Sequence, residues 1–332
     1  MTFFLGSLLF LLLAGPPDEN LLSPEKIRII RNGQEALLNS RWDEAAAIFD
    51  SLHIVDSADP AGFLFPATVL QAEMIDAEED FFGRRFLRLM DSVQFYSHMR
   101  LQRCGRRDSA VCYLYLGHQA AYRSLYEARF GSRFSALTYG LKAKGFYRDG
   151  LAADSALYDL YLGLGSYHYW KSAKAGILRT AGIFNDDKEK GISEIRKAID
   201  SSLFSSKSAR AALIWIFIDQ KEYDSAIALS GRMLESYPDG NTFIWPLAES
   251  YYKNGEFEKA ADTYYLLYQK LKKNPGNYFN IIESAYRCRL ACENLKRRDR
   301  IKEIKSYINS VMKAIPKEIR YRQKGRLAHL VH

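Results

Sequence analysis

The side chains best suited to chemistry are few, and their spacing serves none. Histidines stand at His53, His98, His118, His168, His329 and His332, and cysteines at Cys104, Cys112, Cys288 and Cys292. A structural zinc site needs about four N or S ligands in close pairs, and no histidine stands beside either cysteine pair. Cys288 and Cys292 are one helical turn apart, a poor geometry for a bridge inside an intact helix, so two small buried residues are expected there. Cys104 and Cys112 flank GRRDSAV, which reads as a corner between two helices. A disulfide is geometrically possible at that corner in an oxidising compartment. His168 sits in the aromatic-rich string SYHYW and is expected as a packing residue. The string GLGSYH from Gly163 lacks the third glycine of a phosphate loop and follows no strand, so its glycines are expected to let helices approach closely. No Gly-x-Ser-x-Gly elbow and no His-Glu-x-x-His element occurs. The expectation is a chain that is not an enzyme, with no metal and no cofactor.

The elements around these residues read as helices throughout. A hydrophobic content of 48% with 26% charged residues excludes a disordered chain, and 9 prolines leave room for long helices. The 3.6-residue pattern predicts helices near 61–77, 80–103, 108–129, 132–151, 154–173, 186–201, 206–219 and 222–236. Further helices are expected near 243–254, 256–273, 277–296 and 299–314. Ser23, Asp108 and Asp154 are candidate N-caps. Pro246 predicts a late start or a kink in its helix. No run alternates as a strand would.

Internal repetition organises the chain. Tyr223 and Phe257, Ala226 and Ala260, Leu213 and Leu247, and Phe217 and Tyr251 each stand 34 residues apart. Ile244, Leu247, Ala248 and Tyr251 set a large residue, a leucine, a small residue and an aromatic on one helix. Ala260 and Tyr264 set a small residue and an aromatic on the next. In this period and these types the chain resembles the tetratricopeptide repeat family. Gly33, Ala45 and Phe49 keep the same frame near the start, and Gly191 lies 35 before Ala226. The preceding repeat departs at Ile214, where a small residue is expected, and at Ser230, where an aromatic is.

The resemblance implies an all-α fold, antiparallel helix pairs stacked into a right-handed superhelix, in which each pair buries its face only by stacking on the next. It is clear at 25–60 and 188–275 and degenerate at 61–187. It also implies a concave face lined by the first helix of each pair. The family's groove-facing places fall on Ala211 and Trp215 in one repeat, and on Trp245, Glu249 and Tyr252 in the next. Such a face suits a protein or peptide partner, so the implied function is a binding scaffold.

The ends carry separate signals. The apolar run TFFLGSLLFLLLAG at 2–15 is too short to span a bilayer and has the length of a signal-peptide core, although no Lys or Arg precedes it. Residues 1–15 are therefore read as a signal peptide or apolar segment, 16–24 as a linker, 25–316 as the repeat array and 317–332 as a basic tail. Export to a periplasm is the expectation. Of the net charge of +8, residues 296–332 supply +9, from 12 Lys and Arg against 3 Asp and Glu. The alternative reading is a membrane-associated repeat protein whose basic end meets an anionic lipid surface. No nucleic-acid motif accompanies the charge, so no specific nucleic-acid partner is expected. The apolar stretch 174–187 is longer than a turn between paired helices, and reads either as a docking loop or as a cover for the superhelix.

Overall fold

The computed structural model describes residues 21–174, 186–274, 276–295 and 297–331. The apolar run at 2–15 lies outside the described residues, as do 175–185 within the apolar stretch. Among the described residues there are sixteen helices and no strand. They run α1 (Pro24–Leu38), α2 (Trp42–Val55), α3 (Ala61–Ala77), α4 (Gly83–Leu101), α5 (Arg106–Phe130), α6 (Arg133–Ala153), α7 (Leu160–Lys174) and α8 (Lys188–Ser201). Then follow α9 (Ser206–Asp219), α10 (Tyr223–Ser236), α11 (Asn241–Lys253), α12 (Phe257–Leu271), α13 (Tyr278–Asn294), α14 (Arg298–Val311), α15 (Lys317–Arg322) and α16 (Lys324–Val331). From α1 to α14 each helix packs on the next in the chain. Mostly short connections make neighbours antiparallel, so the chain stacks as helix pairs.

Three of the turns inside pairs share one form. Ser40, Lys221 and Gly255 follow the first helix of their pairs and adopt left-handed backbone, at φ 57°, 64° and 80°. In each, the next residue's N–H reaches back to close the helix end: Arg41 to Ala36 O at 2.9 Å, Glu222 to Phe217 O at 2.8 Å, Glu256 to Tyr251 O at 2.9 Å. This is the Schellman arrangement, which satisfies carbonyls left open at a helix end. Lys221 and Gly255 stand 34 residues apart, so the turn keeps the sequence period.

Small residues set the helix crossings. A Cβ on Gly165 would stand 2.6 Å from Gly191 O, and one on Gly191 would stand 2.7 Å from Gly165 O. The backbones of α7 and α8 therefore touch where GLGSYH begins. Gly33 does the same for α1, where Phe49 fills the space of the missing side chain. His168 and Glu194 cross the same α7–α8 contact, both buried, with Nδ1 and Oε2 2.6 Å apart. The ends of the stretch 174–187 are tied together. Lys171 pairs with Asp187, and the Asp187 N–H donates to Ser172 Oγ at 2.9 Å.

Several expectations are corrected. Ser23 caps α1, accepting from the Lys26 N–H at 3.3 Å. Asp108, however, lies inside the first turn of α5, whose cap is Gly105. Asp154 closes α6 instead of opening α7, because its Oδ1 turns the chain by accepting from Ala156 N–H at 2.9 Å. Pro246 lies inside α11, which starts earlier, at Asn241. Of the basic stretch 317–332, expected as a tail, the described residues to Val331 form α15 and α16, because Ile319, Leu327 and Leu330 bury against the C-terminal core. The four cysteines are free thiols. Among the described residues no helix is long and apolar enough to cross a membrane.

The stack returns on itself. The N-terminal helices meet the C-terminal ones across most of the sequence. Arg31 Nε donates to Leu203 O at 2.7 Å, and Lys207 pairs with Glu35. The Asn241 N–H donates to Ser40 Oγ at 3.2 Å, and Arg322 donates to Glu78 O at 2.8 Å. Asn277 and Asn280, at the start of α13, donate to the backbone carbonyl of Asp76 near the end of α3. The inner face is thereby partly enclosed by α2, α3 and α5.

Candidate functional site

A cavity of about 710 Å³ is walled by α3, α9, α11, α12 and α13, together with Trp42, Arg129 and Arg326. Three of the chain's four tryptophans, Trp42, Trp215 and Trp245, line it. Trp215 is 41% exposed, a large apolar surface left facing solvent. Trp245 is fixed edge-on to Tyr264, with ring centroids 6.2 Å apart.

The 34-residue register places these side chains. Ala211, Trp245 and Phe279 occupy one position of successive first helices. Trp215, Glu249 and Glu283 occupy the position one turn on. Trp215, Trp245 and Glu249, proposed from sequence, come together in the cavity wall. Ala211 does not line it and packs instead against the middle core. Tyr252 faces away and packs edge-on against Phe257 at 5.5 Å. Phe279 and Glu283 line the cavity too. Extending the period by one repeat would have found them.

Most charges on the wall neutralise one another. Glu249 accepts from Tyr264 Oη at 2.7 Å and pairs with Arg287 and Lys253, each at 3.4 Å. Arg287 Nε stands 2.9 Å from Glu283 Oε1, and Arg326 pairs with the other oxygen. Burial and then Glu249 push the Tyr264 phenol far above its usual range, so it stays a donor. Glu78 is held by Arg129 and by Arg322, the latter at 3.7 Å.

Asp76 differs. Its Oδ1 accepts from Asn241 Nδ2 at 3.0 Å and its Oδ2 from Asn277 Nδ2 at 2.9 Å. Burial pushes its carboxyl above the usual value, while the Asn241 bond, the field of Lys270 and the Asn277 bond pull it back. No sequence pattern announced Asp76, because it lies in the stretch where the repeat is degenerate.

A second depression, of about 560 Å³, runs along α4 alone between Asp91 and Gln102. It is a surface between turns of one helix. The open cavity offers aromatic rings, paired ions and hydrogen-bonding amides, the equipment of a binding site.

No family model matches the chain. No curated protein matches it either. Among solved structures, a thermophilic TPR protein from Thermus thermophilus is similar over 68% of this chain and 98% of that chain, at 17% identity and a TM-score of 0.41.

Proposed function

We propose that the chain is a non-enzymatic scaffold of the tetratricopeptide type that binds a protein or peptide segment in this groove. The observation that carries this reading is the gathering of Trp42, Trp215 and Trp245 around one cavity, with Trp215 left solvent-facing. Tryptophans in a desolvated recess are the side chains that most often dominate a binding energy. Export is part of the proposal and rests on the apolar run at 2–15 alone.

The test is selection of a displayed library of random decapeptides against the chain. Peptides should be recovered that quench tryptophan fluorescence and that bind Trp245→Ala about 30-fold or more weakly, the size of a truncated hot-spot tryptophan. Peptides that bind wild type and Trp245→Ala equally would place the binding surface elsewhere.

A further inference from the structure

We propose that the groove selects a cationic side chain, a lysine or arginine of the bound segment, and seats it against Asp76, Asn241 and the tryptophans. This inference rests on the reading of the groove as a peptide site.

The first argument is the charge of the wall. Glu78, Glu249 and Glu283 each have a cationic partner from the chain. Asp76 is met only by amides, and among the described residues no Lys, Arg or His lies within ion-pairing distance of it. Lys270 reaches it through its field, but its ammonium pairs with Asp239 at 3.5 Å.

The second argument is independent of charge. Asn241 lines the cavity and is only 7% exposed. It spends its amide N–H on Asp76, which leaves its Oδ1 buried with no hydrogen-bond partner. A buried acceptor without a donor is costly, and a donor brought by a ligand would relieve that cost. The missing partner is a donor next to an uncompensated carboxylate.

Ammonium and guanidinium groups satisfy both demands, with three and five N–H donors respectively. Trp42, Trp215 and Trp245 line the same cavity, and an indole ring that meets a cation on its face attracts it. A carboxylate on the ligand would meet Asp76 as a like charge. A metal ion would find indole walls, and carboxylate oxygens already engaged by amides, where it needs several oxygen or nitrogen ligands.

The random decapeptide library decides this when it is selected in parallel on wild type, Asp76→Asn and Trp215→Ala. Lysine or arginine should be enriched at one position on wild type. Replacing that residue by norleucine should weaken the leading peptide at least 10-fold, and Asp76→Asn should erase the difference. Trp215→Ala, at an exposed position, should shrink the preference for the cation about 3- to 10-fold, and it decides the matter if Asp76→Asn fails to fold. Peptides that need Trp245 but carry no cation, or keep their preference on both variants, would overturn the cation seat and leave the groove standing. Recovery of no peptide on any form would overturn both.

Discussion

His118 shows what a buried titratable group does in this array when it is not at the groove. It lies between α5 and α6, and its Nδ1 shares a 2.8 Å hydrogen bond with Tyr147 Oη. Burial lowers its pKa from 6.5 to about 4. The unfolded chain therefore binds a proton between those values while the folded chain does not. Stability is unaffected above about pH 6.5 and falls as the pH drops toward 4, by up to about 3 kcal/mol. Thermal melts at stepped pH should show that slope, and His118→Gln should flatten it. An unchanged slope would move the effect to other groups. Lys26 is the opposite case. It is fully buried, and its Nζ stands 2.8 Å from Asp59 Oδ2 and 3.7 Å from Asp56 Oδ2. A lysine in an apolar-periodic helix gives no sign of this, since its partners come from beyond the next helix.

At the scale of the element, the turn residues are the parts that can be improved. Lys221 holds a backbone conformation that costs an L-residue about 1–2 kcal/mol, and the equivalent place one repeat later is Gly255. Lys221→Gly should raise stability by up to about 1 kcal/mol, less than the relieved strain because glycine is more disordered when unfolded. A lower denaturation midpoint would mean that the Lys221 side chain has a role its exposure does not suggest. The helices themselves were legible where the period was regular. The pattern predicts 206–219, and α9 spans Ser206–Asp219. The repeat is lost between 61 and 187 for a physical reason. Helices α5 and α6 run 25 and 21 residues, so that one pair already exceeds a 34-residue unit. Long helices still show their 3.6-residue pattern, which is why their existence was visible when their register was not. Asp108 and Asp154 resemble caps in sequence because an aspartate beside a helix end looks the same whether it opens the helix, closes it or lies within the first turn.

At the scale of the molecule, half of the groove was legible and half was not. Trp215, Trp245 and Glu249 follow from a repeat whose geometry is local. Asp76, Asn277 and Asn280 meet only because the stack curves far enough to bring α3 against α13, and no local pattern encodes that. The closure can be tested directly. Asn277→Ala combined with Asn280→Ala removes the hydrogen bonds from α13 to Asp76 and should cost about 2–4 kcal/mol. The radius of gyration from solution scattering should rise as the two ends separate. An unchanged value would place the closure on Asn241, Arg322 and the contacts of α1 with α9.

That return of the stack on itself also sets an order of events in time. Asn277 and Asp76 are 201 residues apart, and Arg322 and Glu78 are 244 apart. Pairs of helices can form one after another as the polypeptide leaves the ribosome, each resting on the one before. At the Asp76 end of α3, Oδ1 can be met once α11 has been made, but Oδ2 and the backbone carbonyl must wait until α13 has been made. A product cut short before α13 would hold folded pairs and all four of its tryptophans and still have no finished recess. The recess is therefore a late event, completed only once α13 has been made.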